Sequence, residues 1–388
     1  MNSSEDIQHT ENGWQDSVII IPALLSASTL LVVAVIVWKF IQGRRVKGRE
    51  VEEQTADDTN GWAVNTAGEF ENSLTVPEPV LEKKQLPQEW RLHDRIVLCR
   101  GHYGPISQAM LVHQWDPEDR RGVILKELSE NCSPGEIQDF MDLLKFHEQV
   151  CRHENLVRML WCQTQRRPVC LIMEAMTFGN LLNFLRDLHE EALLSLTERD
   201  VYSLAMQVAS GLEFLSGTHN LVHGYVAACN VLIHEDMSVR LCGLGLTAVQ
   251  YRTGSIPIRR ATRVPVKWQS PERLKEGSVT EKSDVWSFGI LLYELVTLGA
   301  PPYLDVSPQE LPNKLHKNYR MKRPQQCGER LYDVMTSCWH WEAPQRPCFT
   351  EVVKQLQNSA GEGDGVTPLS ATDTLSWADY LHVAGIPT

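Results

Sequence analysis

The chain has 388 residues, 43% of them hydrophobic, and a formal net charge of −12. That is enough apolar material for one large domain or two ordinary ones with appendages. An acidic chain must concentrate locally the basic face that phosphate backbones require, which argues against nucleic acid as a partner.

The first element is an apolar run, Val18 to Trp38, without a single charged residue. As a helix rising about 1.5 Å per residue it would reach roughly 30 Å, the thickness of a bilayer core. Pro22 falls in its first turn, where a missing N–H costs least. A cleaved signal peptide is the competing reading, but Glu5, Asp6, Glu11 and Asp16 stand where such a peptide has a basic start. The run therefore predicts a retained transmembrane helix over 18–38 behind a short outer segment, 1–17. Lys39, Arg44, Arg45, Lys47 and Arg49 follow at once, which places the N-terminus outside and the rest in the cytoplasm. All ten cysteines come after the span and none forms a Cys-x-x-Cys pair, as expected of reduced thiols.

Residues 39–87 read as a basic juxtamembrane stretch leading into an acidic, flexible linker. The basic part is either a stop-transfer signal or a hold on anionic lipid. From Trp90 onward, runs rich in Val, Ile and Leu predict strands at Arg95–Leu98, Ile106–Val112, Val123–Leu128, Val157–Cys162 and Val169–Met173. A helix over Pro134–Val150 interrupts them, with Ile137, Phe140, Met141, Leu144 and Val150 on one stripe. Beyond Leu181 the spacing is helical, as in Val201–Leu215, Ser283–Leu298 and Leu331–Cys338. A small β-rich half before a larger helical half predicts an α+β, two-lobed domain. Residues 358–388, rich in Gly, Ser, Thr and Pro, predict a disordered tail apart from a short apolar cluster, Leu375–Val383. Within that cluster Tyr380-Leu-His-Val383 either docks a partner or packs back on the domain with Trp377 and Leu381.

His223-Gly-Tyr-Val-Ala-Ala-Cys-Asn230 and Leu241-Cys-Gly-Leu-Gly-Leu246 stand in the order and spacing of a catalytic loop and a metal-binding loop. Pro265-Val-Lys-Trp-Gln-Ser-Pro-Glu272, Ser283-Asp-Val-Trp-Ser-Phe-Gly289 and Cys338-Trp339 through Arg346-Pro347 follow at matching intervals. Together they resemble the tyrosine-kinase-like family over residues 88–357, and the resemblance implies the bilobal protein-kinase fold. It implies nucleotide contacts from Gly101, Gly104, Ile106, Lys126 and Asn230, with Cys99 in place of the first glycine of the phosphate loop. It also implies that Glu272 pairs with Arg346 and that Asp284 braces the catalytic loop.

Phosphoryl transfer needs cations on the phosphates and a carboxylate to orient the attacking hydroxyl. By the same resemblance Tyr225 holds the place of the base and Gly243 that of the metal-binding aspartate. A phenol with an ordinary pKa near 10 is a poor proton acceptor, and glycine offers a hard cation no oxygen. Leu144 holds the place of the glutamate that pairs with Lys126, with Asp142 or Glu148 as substitutes if the helix register differs. Gly224 removes the arginine that would receive a phosphorylated Tyr251. The expectation is catalysis absent or very weak, weak ATP binding and no intact magnesium site. Two functions follow: a membrane-anchored pseudokinase that scaffolds cytosolic signalling proteins, or a tyrosine or dual-specificity kinase with atypical chemistry.

Overall fold

A computed structural model describes residues 79–188, 195–256, 264–371 and 375–386, all within one compact unit, Phe70–Thr388. The predicted span at 18–38 and the segments around it lie outside the described residues. Among the described residues no helix is long and apolar enough to cross a membrane.

The chain enters through a helical turn, Pro79–Glu82, and forms three long antiparallel strands, β1 (Trp90–Arg100), β2 (Pro105–His113) and β3 (Asp116–Glu127). Helix α1 (Pro134–Gln149) follows, then β4 (Met159–Gln163) and β5 (Cys170–Glu174), which close a five-stranded sheet of order β1-β2-β3-β5-β4. The helical lobe holds α2 (Leu181–Asp187), α3 (Glu198–Glu213), the hairpin β6 (Val231–Ile233) and β7 (Val239–Leu241), and α4 (Gly245–Thr253). It continues through α5 (Pro271–Glu276), α6 (Glu281–Val296), α7 (Leu311–His316), α8 (Glu329–Cys338), α9 (Phe349–Ser359) and α10 (Trp377–Ala384). The β-rich and helical halves are thus arranged as the periodicity predicts.

Local chemistry sets the boundaries. Ser133 caps α1 in a reciprocal box: its hydroxyl accepts from the Glu136 amide while Glu136 accepts from the Ser133 amide at 2.8 Å, with Pro134 in the first turn. Thr197 with Asp200 does the same for α3, and Thr280 with Ser283 for α6. In β2 and β3 the alternation of side chains puts Ala109, Leu111, Val123 and Leu125 into one small core with Trp90, Cys170 and Ile172. Ile124 and Lys126 consequently face the other way, toward the large core that joins α1 to the helical lobe.

Two boundaries differ from expectation. The end of the expected linker belongs to the domain: Leu81 is fully buried, and the Leu86 and Cys162 amides donate to Cys162 and Lys84 carbonyls at 2.8 and 2.7 Å. The expected disordered tail is also largely folded. It completes α9, donates the Leu369 amide to Leu196 and ends in α10, with Leu369, Tyr380 and Ala384 buried. In both places composition alone hid a few apolar side chains that tertiary partners bury.

The lobes are joined by backbone. The Val157 amide donates to the Leu241 carbonyl at 2.9 Å, the Leu241 amide donates to Asn155 at 2.8 Å, and Ile233 donates to Gly179 at 2.9 Å.

Candidate functional site

The site is built where the end of the sheet meets the hairpin β6–β7. On the sheet side, Ile106 lies opposite both Cys99 on β1 and Lys126 on β3, so these three line one end of the sheet. The turn between β1 and β2 is tightly folded. The Gly101 amide donates to the Gly104 carbonyl at 2.8 Å, and the Ser129 amide donates to the Tyr103 carbonyl at 2.8 Å. A side chain on Gly104 would stand 2.7 Å from the Glu127 carbonyl oxygen, so only glycine allows this approach. Tyr103 meets Phe140 of α1 edge to face at 5.4 Å. The amide of Gly101 is therefore committed within the turn rather than turned outward to an anion.

Lys126 forms no ion pair among the described residues, and its charge acts on Cys99, His147, Cys151 and Cys242. Leu144 is fully buried in the core, as its apolar side chain requires. The two candidate substitutes are engaged elsewhere. Asp142 accepts from Lys145 at 3.3 Å and lies 3.6 Å from Arg252, while Glu148 pairs with Lys84 at 3.4 Å and Arg152 at 3.3 Å. Among the described residues no carboxylate of α1 pairs with Lys126.

On the helical side, Asp284 at the start of α6 accepts the His223 and Gly224 amides at 2.6 and 2.8 Å, bracing the loop as expected. Arg273 donates to the Gly224 carbonyl. His223 is fully buried, and burial pulls its pKa down to about 4, so the ring is neutral. Its Nδ1 accepts from the Tyr225 amide at 3.2 Å, which leaves Nε2–H to donate to the Cys242 carbonyl at 2.8 Å.

Tyr225 is turned into the helical lobe. The Cys229 thiol lies 3.6 Å from its hydroxyl, and burial, Cys229, Glu294 and Tyr380 together hold the phenol far above its ordinary pKa. A phenol so placed remains protonated and takes no proton from a substrate. Tyr225 is half-buried and packs against the large core.

Gly243 has φ +76°, and a side chain there would begin 2.5 Å from Asn230 Oδ1. Asn230 thus fills the space beside Gly243, while its Nδ2 donates to the Tyr225 carbonyl at 3.0 Å. The residues do not fit a magnesium ion: no carboxylate stands at Gly243, and with Nδ2 donating to the loop backbone Asn230 offers only one neutral oxygen, Oδ1. Of the residues expected at a nucleotide, Lys126 and Ile106 lie together at the end of the sheet, while the Gly101 amide is taken up within its turn.

The segment after Gly243 forms α4, which packs on α1. Arg252 pairs with Asp139 and reaches Asp142, Tyr251 donates to Gln149 at 2.6 Å, and its ring meets Phe146 at 5.7 Å. Farther out, Arg346 makes a two-pronged pair with Glu272, 2.8 Å on each arm.

Sequence reasoning missed α10 as a helix docked against Arg186 of α2. The signal was present in Ser376 and Asp379, which cap the helix, and in Trp377, Tyr380 and Ala384 at helical spacing.

The family model described as protein tyrosine and serine/threonine kinase matches residues 92–356. Tyrosine-protein kinase STYK1 (serine/threonine/tyrosine kinase 1) of Homo sapiens is 36% identical over 392 residues, spanning 96% of this chain and 92% of that protein. The Mus musculus protein of the same name is 34% identical, over 96% of this chain and 91% of its own length. A fibroblast growth factor receptor of Strongylocentrotus purpuratus is 33% identical over 306 residues, 74% of this chain and 31% of the receptor.

Proposed function

We propose, for a chain that belongs to the protein tyrosine and serine/threonine kinase family, that it works as a membrane-anchored pseudokinase scaffold in intracellular signalling. Members of this family generally bind ATP and magnesium. The observation that carries the reading is the absence of a carboxylate at Gly243, where the space a side chain would take is held by Asn230, whose Oδ1 lies 2.5 Å from where that side chain would begin. The protonated Tyr225 supports it, because losing both a base and a metal ligand removes the two largest electrostatic contributions to phosphoryl transfer. Asp284, Glu272 and Arg346 preserve the shape of the helical lobe, so a kinase-like surface persists for cytosolic partners. Residues 18–38 anchor this domain to the membrane with the N-terminus outside. ATP binds weakly and without magnesium through Lys126, Ile106, Gly104 and Asn230.

The relatives' names, tyrosine-protein kinase, favour a second reading, an active tyrosine or dual-specificity kinase with atypical chemistry. One assay separates the two. Full-length chain in detergent, given labelled ATP with magnesium or manganese and a tyrosine-containing polymer, is expected to transfer no phosphate above background. Transfer that disappears in Lys126→Ala would overturn the scaffold reading.

A further inference from the structure

The loss of carboxylates at residues 144, 225 and 243 leaves a cation behind. Lys126 is half-buried, and among the described residues no carboxylate pairs with it. The groups that its charge reaches are Cys99, His147, Cys151 and Cys242. Burial raises the pKa of all three thiols and pulls that of His147 down to about 3, so none of the four is charged near neutral pH.

The acids nearest along the strands are turned to other partners. Glu127, next in β3, points to the opposite face of the sheet, pairs with Arg95 at 2.8 Å and accepts from the Ser107 hydroxyl at 2.7 Å. Glu174, at the end of β5, pairs with Arg240. The side chains that share a face with Lys126 are apolar. Strand alternation puts Ile124 there, and the register sets Ile106 directly opposite Lys126, with Cys99 beyond it on β1.

A lone charge on half-buried, largely apolar ground favours a ligand that brings one opposite charge and covers the walls. The pair then forms in a lower dielectric than water, and the apolar body leaves water with it. A polyphosphate without magnesium brings several negative charges to one cation, and the surplus is desolvated without a partner. The glycine turn gives no relief, because the Gly101 amide is committed to the Gly104 carbonyl.

We propose, building on the pseudokinase reading, that this cleft binds a monocarboxylate with an apolar body, the carboxylate on the Lys126 ammonium and the body against Ile106 and Ile124. Such a ligand needs neither a base nor a metal, and its occupancy stabilises the folded domain by mass action.

The test uses full-length chain in detergent and two isosteric probes, naphthoate and the neutral naphthamide, with binding measured by calorimetry without magnesium. The amide reports apolar contact and partition into micelles alone. Naphthoate is expected to bind about tenfold more tightly than the amide. In Lys126→Met, which keeps an unbranched apolar stem, the two probes should bind alike. Ile106→Ala, which trims the wall and keeps the charge, should weaken both. Magnesium-free ATP is expected to bind more weakly than naphthoate at equal ionic strength. The proposal is overturned if acid and amide bind the wild type alike, or if naphthoate fails to saturate below about 10 mM. It is equally overturned if the advantage of the acid survives in Lys126→Met, if Ile106→Ala changes neither affinity, or if magnesium-free ATP binds more tightly than naphthoate. ATP binding that strengthens on adding magnesium would instead overturn the pseudokinase reading, an outcome separate from the comparison of acid with amide.

Discussion

Gly243 and Asn230 form one unit, because the space that a side chain at 243 would claim is occupied by the Asn230 amide. Restoring the aspartate is therefore not expected to restore a metal site. In Gly243→Asp, the Asn230 side chain must swing away and lose its bond to the Tyr225 carbonyl, leaving partly buried polar groups to find new partners. The expected result is a loss of about 1–3 kcal/mol of stability and no rise in melting temperature on adding magnesium with ATP. Thermal unfolding with and without these ligands checks it, and a magnesium-dependent rise would mean that Asn230 yields readily. The missing residues at Tyr225, Gly243 and Leu144 were legible in the sequence because their places follow from motif spacing. Where Tyr225 points was not legible, because its surroundings include the buried Glu294 of α6, far off in the chain.

At the scale of elements, α1 and α4 act on each other. Arg252 bridges Asp139 and Asp142, all partly exposed, so solvent screens much of the attraction and such contacts are worth about 0.2–1 kcal/mol. Arg252→Ala is expected to raise amide exchange across Gly245–Thr253 by about three- to fivefold, with little change in global melting temperature. Unchanged exchange would leave Tyr251 and Phe146 as the contacts that hold α4. The α1 helix itself was legible from its apolar stripe and its Ser133 start. Its pairing with α4 was not, since the partners are separated by the whole of β4, β5 and α3.

Across the whole molecule, Glu294 joins the catalytic loop to the helical core. Its Oε2 accepts from the Ala228 amide at 3.0 Å and the Trp268 indole at 3.1 Å, while Oε1 is buried without a partner. Burial pushes its pKa up to about 7, above the ordinary carboxylate value. A carboxyl whose folded pKa is raised contributes stability that is complete below its unfolded pKa and is lost as pH rises through about 7. Glu294→Gln, neutral at every pH, should therefore gain on the wild type as pH rises, the difference in melting temperature at pH 8 exceeding that at pH 5. A gap independent of pH would show that Glu294 stays ionised throughout.

The sequence by itself determined the order of strands and helices, the two-lobed domain, and which chemical groups the catalytic positions lack. Those follow from local periodicity, capping residues and motif spacing, each readable within a few residues. Tertiary structure alone decided that Asn230 fills the place beside Gly243, that Asp142 and Glu148 are committed elsewhere, and that the tail folds back as α10. These depend on which distant side chains share a buried space. Tyr380 shows the difference most plainly: its neighbours in the chain allowed either docking or packing, and only its burial with Arg186 of α2 over its ring made it a core residue.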